Sequence, residues 1–338
     1  MGFFRDNIER MAGYTPGEQP QDKAYVKLNT NECPYPASPK VFDAIRAAAN
    51  ADLRLYPDPM AARLRAKLGE VYGFGPEQII AGQGGDDILN LIIRGCVARG
   101  DGLASLYPSY TLYDTLGELQ EAEFVGVDKV EDLAAAGAKV NIVCNPNAPT
   151  GVWTEMAALD ALAPHLDGLL VIDEAYADFA EETCLPLAGK HPNVMVVRTM
   201  SKSFSLAGMR LGYGVASAPV IEQLFKVKES YNLDRISLVA AEAALDDLEH
   251  AEANVRRVIA TRERLKSELD AMGLSFYPSR SNFVFFEIAD APDVKQKLMD
   301  RGVLVRHFNT PDLRDFIRVT VGSDDEIDRF LAELRELV

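Results

Sequence analysis

The chain has 338 residues, with 35 lysines and arginines against 51 aspartates and glutamates, a formal net charge of -16. That length suits two domains around a large buried core, and the acidic balance repels nucleic acid and anionic membranes in bulk, so any anionic ligand must be met by local positive groups. The four cysteines, Cys33, Cys96, Cys144 and Cys184, show no Cys-x-x-Cys spacing and the four histidines no His-x-x-x-His pair, which argues against a metal or redox centre.

The leading Met1-Gly-Phe-Phe-Arg-Asp6 lacks the apolar core of a secretory leader, and Asp6 stands where a myristoylation signal has Ser or Thr. No apolar run approaches membrane-spanning length, so a cytoplasmic protein is expected. Ser38 followed by Pro39 reads as a helix cap with proline in the first turn, and 60–72 as a second amphipathic helix stopped by Gly73. Residues 79–93 give a short apolar strand, the glycine-rich turn Gly82-Gln-Gly-Gly-Asp-Asp87, and a helix with Ile88, Leu89, Ile92 and Ile93 on one face. Glycines admit an anion close to the backbone, and a helix start offers unpaired N–H groups and the positive end of its dipole. A phosphate cup around Gly85 and Asp86 is therefore expected, although glycine-rich turns precede many helices. The turn lacks both the third spaced glycine of a dinucleotide fingerprint and the Gly-Lys-Ser/Thr of a Walker A loop.

Apolar strands at 103–106, 124–127, 140–144, 169–172, 194–197 and 211–215 alternate with helical stretches. This predicts an α/β fold with a mainly parallel sheet covered by helices on both faces. Asp173 ends the fourth of these strands, and the carboxyl ends of such strands face the ligand crevice. A carboxylate there can hold a heteroaromatic ring nitrogen protonated, and Tyr176, three residues on, can reach a phenolic oxygen of the same ring. The alternative is that Asp173 caps the next helix. Lys202 follows the next apolar run, between Ser201 and Ser203 and eight residues before Arg210. An amine that bonds covalently to an aldehyde must lose its proton, which burial and a nearby cation such as Arg210 promote; a solvated lysine at a strand end is the plainer alternative.

Residues 238–272 read as one or two long helices. Strands near 282–287, 303–306 and 317–321 follow, and a last helix opens on the capping box Ser323-Asp-Asp-Glu326. Arg306 and Arg318 sit within apolar strand-like runs, where a planar guanidinium suits a carboxylate or phosphate; otherwise they are strand-edge arginines in solvent.

Together, Leu28-Asn-Thr-Asn-Glu-Cys-Pro34, Leu55-Tyr-Pro-Asp-Pro59, Gly84-Gly-Asp-Asp87, Tyr107-Pro-Ser-Tyr110, Asn145-Pro-Asn-Ala-Pro-Thr-Gly151, Asp173-Glu-Ala-Tyr176 and Ser201-Lys202 span nearly the whole chain. In this order they resemble the fold-type I pyridoxal 5'-phosphate-dependent aminotransferases and, within them, the histidinol-phosphate aminotransferase family. The resemblance implies a large domain with a mainly parallel seven-stranded sheet between helices and a smaller α+β C-terminal domain, divided as an arm over 1–34, a large domain over 35–235 and a small domain over 236–338. It implies that Lys202 bonds the cofactor aldehyde, Asp173 pairs with the pyridine nitrogen, Tyr176 bonds the ring oxygen and Tyr110 stacks on the ring. Ser201, Arg210, the backbone at Gly85 and Asp86, and Tyr56 from a second subunit would hold the phosphate, which makes a homodimer the expected partner state. On the substrate side it implies Tyr14, Asn31, Arg306 for a distal carboxylate or phosphate, and Arg318 for the α-carboxylate.

One position departs from the pattern, which usually has asparagine at 148; here it is Ala148, which has no donor for the ring oxygen unless Asn147 or a water substitutes. The implied reaction moves an amino group from L-histidinol phosphate to 2-oxoglutarate. Aromatic aminotransferases and threonine-phosphate decarboxylases share the scaffold. A non-enzymatic cofactor-binding regulator fits less well, since no helix-turn-helix or basic extension is present, and a dehydrogenase lacks its glycine fingerprint.

Overall fold

The computed structural model describes residues 2–14 and 17–338. The strands are β1 (Val26–Lys27), β2 (Ile79–Gly82), β3 (Gly102–Leu106), β4 (Glu123–Val127), β5 (Val140–Cys144), β6 (Leu169–Asp173), β7 (Val194–Thr199), β8 (Gly212–Ala216), β9 (Phe283–Glu287), β10 (Val303–Leu304), β11 (Arg306–His307) and β12 (Phe316–Thr320). Seven of them form one sheet in the order β2-β8-β7-β6-β5-β3-β4. It is parallel except at β8, which runs antiparallel to both β2 and β7. The central strands β5 and β8 are buried along their whole length, which is why they read as continuous apolar runs rather than alternating ones. Helix Gly85–Cys96 buries Ile88, Leu89, Leu91, Ile92 and Ile93, the face anticipated from the sequence together with Leu91.

Close packing places the glycine turn. A Cβ on Gly212, in β8, would lie 2.3 Å from the carbonyl carbon of Gly84, so the strand and the turn that starts the helix touch through backbone alone. Gly84 itself has φ +86°, a left-handed conformation that favours glycine.

The smaller sheet has the order β11-β12-β9, with Arg306 directly opposite Arg318. The final helix, Asp324–Arg335, has its expected capping box: Glu326 N–H donates to Ser323 Oγ and Ser323 N–H to Glu326 Oε2. The N-terminal arm contacts this unit: β1 pairs in parallel with β10 and Leu28 joins the C-terminal core.

The stretch 238–272 resolves into two helices, Arg235–Leu245 and Leu248–Ala271. The first contributes Leu238, Ala240, Ala241, Ala244 and Leu245 to the core of the large sheet, so it packs with the part of the chain before the expected boundary at 236. The second passes between the cores, with Ala251 in one and Val255, Val258, Leu265 and Leu269 in the other. The expected division at 236 therefore falls within residues that pack with the large sheet, and the contacts pass from one core to the other along this second helix. Among the described residues, no helix is long and apolar enough to cross a membrane.

Candidate active site

A cavity of about 510 Å³ opens where the carboxyl ends of β5, β6 and β7 meet the glycine turn, the arm and the small sheet. Its lining includes Lys202, Asp173, Tyr176, Tyr110, Ser201 and Arg210 from the large sheet side, Tyr14 and Asn31 from the arm, and Arg306 and Arg318 from the small sheet.

Lys202 Nζ donates to the Thr30 carbonyl at 3.2 Å and lies 5.7 Å from the centre of the Tyr176 ring. Burial lowers its pKa from 10.5 to about 8; Glu32 pulls it back up, while Arg318 and, more weakly, Arg210 push it down. Desolvation is therefore the main agent, with Arg318 ahead of the Arg210 anticipated from spacing. Glu32 itself is pulled upward by burial, but hydrogen bonds from Lys27 and Thr30 hold it below its ordinary value.

Asp173 is buried at the end of β6. Its Oδ2 accepts from the Tyr113 hydroxyl at 2.7 Å and its Oδ1 from the Ala175 N–H at 3.1 Å. Burial pushes the carboxyl up to about 6, against the two hydrogen bonds, which favour the charged form. Tyr176 accepts a 3.0 Å hydrogen bond from Asn31 Nδ2, leaving its own hydroxyl proton to donate into the cavity. Asn31 is in turn fixed: its N–H donates to Thr320 Oγ1, whose hydroxyl donates to Asn31 Oδ1, and its carbonyl accepts from Asn282.

The phosphate-sized end is built from backbone and one arginine. Gly84 provides no side-chain cap for the helix start, which leaves the first N–H groups of that helix facing the cavity at Gly85 and Asp86. Arg210 sits beside them, with Nη1 donating to Ser201 Oγ at 3.4 Å and Nη2 3.6 Å from Asp86 Oδ2. Thr199 extends this chain of hydroxyls, donating to Ser201 Oγ at 2.9 Å. Across the cavity Arg318 donates to the Asn29 carbonyl at 3.2 Å, while its Nε has no hydrogen-bond partner among the described residues. A buried guanidinium N–H without a partner suits an anionic ligand that would supply one.

The residues fit pyridoxal phosphate: an amine with depressed pKa, a buried carboxylate, a hydroxyl free to donate, and an uncapped helix start beside an arginine and a serine surround one space. The aminotransferase class I and II family model matches residues 23–334. The chain belongs to the class I and II aminotransferases. This aminotransferase is 44% identical to a histidinol-phosphate aminotransferase of Geotalea uraniireducens over 99% of both chains. Its fold matches the histidinol-phosphate aminotransferase of Sinorhizobium meliloti, solved in complex with pyridoxal-5'-phosphate, with a TM-score of 0.91 at 27% identity, covering 100% of this chain and 99% of that one. The L-threonine-O-3-phosphate decarboxylase of Porphyromonas gingivalis is also similar, with a TM-score of 0.80 at 19% identity over 92% of this chain and 98% of that one, a likeness of fold alone.

One residue expected in this cavity lies elsewhere. Asn147 does not line the cavity: its amide donates to the Pro108 carbonyl and Thr150 Oγ1 and accepts from Ser109 Oγ, so it braces its own loop and cannot replace the donor missing at Ala148, which does line the cavity. Tyr56, expected to serve a second subunit's site, is 77% exposed and stacked on Tyr231 at 4.4 Å, outside this chain's own cavity. Tyr110 is at the wall, edge-on to Tyr14 at 5.8 Å, its hydroxyl 3.4 Å from Asp86 Oδ1.

Sequence reasoning missed a set of residues behind the wall. Tyr113 holds Asp173; its only signal was a tyrosine one helical turn after Tyr110. Behind Glu174 and Ser203, neighbours of Asp173 and Lys202, the buried Arg198 guanidinium pairs with both Glu174 and Asp178, and Ser203 Oγ donates to Asp178 Oδ2. This buried network ties the end of β6 to the Lys202 loop. No spacing rule predicts it, because its members meet only when β6 and β7 pair.

Proposed function

We propose that the chain transfers the amino group of L-histidinol phosphate to 2-oxoglutarate in histidine biosynthesis, using pyridoxal phosphate held on Lys202. The observation that carries this reading is the convergence of Lys202, Asp173, Tyr176 and the uncapped helix start on one side of a single cavity with Arg306 and Arg318 on the other. The names of its relatives supply the substrate.

When bound, the cofactor supplies an aldehyde that takes the amino group and a ring that delocalises the electron pair left by the α-proton. Asp173 holds the ring nitrogen protonated, and Tyr176 donates its hydroxyl proton to the ring oxygen. Gly85 and Asp86 N–H groups, Ser201 and Arg210 bind the phosphate; Tyr110 covers the ring face. Lys202 would hold the cofactor's aldehyde, and its Nζ, once free, would take the proton from the substrate α-carbon and pass it to the cofactor carbon that receives the amino group, a role for which a pKa of about 8 suits it. Arg318 orients the α-carboxylate of glutamate or 2-oxoglutarate, and Arg306 binds the distal carboxylate or the substrate phosphate. Tyr14 and Asn31 close the substrate side from the arm.

The enzyme works, on this reading, as a cytoplasmic homodimer in which the exposed Tyr56 reaches the partner's phosphate site. The exposed Leu53, Leu55 and Met60 beside it suit a buried interface. We divide the chain as the arm over 1–34, a large domain and a small domain, with the second division inside helix Leu248–Ala271.

The test mixes the cofactor-loaded protein with L-histidinol phosphate, phenylalanine or threonine phosphate and follows the visible absorbance, keto-acid product and CO2. Bleaching and transamination with histidinol phosphate are expected, both lost in Lys202→Ala. Preference for phenylalanine, or CO2 release from threonine phosphate, would reassign the substrate; steady-state transamination by Lys202→Ala would overturn the catalytic reading.

A further inference from the structure

The Asp173 carboxylate is buried with no cation paired to it. Lys202, Arg210 and Arg318 line the same cavity, yet among the described residues none forms an ion pair with Asp173. Its hydrogen bonds come from the Tyr113 hydroxyl at 2.7 Å and the Ala175 N–H at 3.1 Å. The other titratable groups around it do not help: Asp86, at the helix start, and its neighbour Glu174 raise its pKa. Cys144, at the end of β5, and Tyr176 face it as groups that burial pushes up and keeps protonated.

We propose that Tyr113 is a positioning residue of this aminotransferase, keeping Asp173 ionised and aimed so that its remaining lone pairs meet the cofactor's ring nitrogen. The proposal rests on the reading that pyridoxal phosphate occupies this cavity.

The geometry supports the role in three ways. Tyr113 is fully buried, and among the described hydrogen bonds its hydroxyl has the Asp173 carboxylate as acceptor; burial drives the phenol's pKa well above 10, so it stays a donor across the working pH range. An ionised carboxylate can accept about four hydrogen bonds, and the two observed leave room for one from the ring. The Tyr113 ring also meets Tyr110 edge-on, with centroids 5.6 Å apart and planes at 85°, so one side chain braces both the acid at the ring nitrogen and the tyrosine at the ring face.

Tyr113→Phe keeps the ring and removes only the donor. Without it Asp173 loses the one side-chain hydrogen bond it has among the described residues, in a buried site, and its pKa rises further. The experiment titrates pyridoxal phosphate into cofactor-free wild type, Tyr113→Phe, Asp173→Asn and the double variant by absorbance between pH 6 and 9. Wild type is expected to bind at Lys202. Tyr113→Phe is expected to bind about tenfold more weakly near neutrality, the size of one hydrogen bond to a charged group, and to recover toward wild type as pH rises and Asp173 ionises. In the Asp173→Asn background the substitution should have no pH-dependent effect. A Tyr113→Phe profile that superimposes on wild type, or an equal loss in the Asp173→Asn background, would overturn the role. Failure of wild type to bind the cofactor would instead remove the reading beneath it.

Discussion

Replacing Lys202 with methionine should stabilise the cofactor-free protein, and by an amount that depends on pH. The amine falls from an ordinary 10.5 to about 8 in the folded chain. At about 1.36 kcal/mol per pKa unit, holding the ammonium in the folded state at pH 7 costs about 3 kcal/mol, trimmed to roughly 2–3 by the side open to the cavity. The sign follows from proton counting. Below pH 8 folded and unfolded chains both carry the proton and the penalty is fully present. Between pH 8 and 10.5 the folded chain has lost a proton that the unfolded chain keeps, so stability rises with pH; above 10.5 the difference is gone. Methionine fills similar volume and does not titrate, so Lys202→Met gains most below pH 8 and loses that gain by pH 10.5. Loss of the hydrogen bond to the Thr30 carbonyl adds a pH-independent offset of about 1 kcal/mol against the variant. Urea unfolding of both cofactor-free proteins from pH 6.5 to 10.5 measures the difference, in which titrations not coupled to Lys202 cancel. A difference flat across this range would refute burial as the source of the low pKa.

Gly84→Ala places a Cβ 2.6 Å from Arg210 Nη2 at a residue with φ +86°; backbone strain of about 1–3 kcal/mol and a displaced arginine should weaken binding of the cofactor phosphate, measured by equilibrium dialysis, more than they lower the melting temperature. Asn147→Ala should do the opposite: it removes three side-chain hydrogen bonds within its loop, costing about 1–3 kcal/mol of stability by urea unfolding, while the visible band of the bound cofactor keeps its position.

The chain's periodicity was enough to place the strands of its large sheet. Continuous apolar runs mark β5 to β8 because strands buried on both faces need them. Gly84, Asp173 and Lys202 are legible because each follows an apolar run, where a sheet of this class turns its strand ends toward a crevice. Local chemistry also wrote the Ser323 capping box, since its partners lie three residues apart. What local chemistry could not write is any contact between distant segments. Strand β8 reads like its parallel neighbours yet runs antiparallel, because direction depends on how the chain returns to the sheet. Tertiary packing decided that Arg318 rather than Arg210 is the stronger influence on Lys202, and that the Asn147 amide is spent on its own loop. It also joined the arm to the small domain through β1 and β10, and gave Asp173 a tyrosine 60 residues away. Burial and pairing fix these properties, and both exist only once the segments have come together.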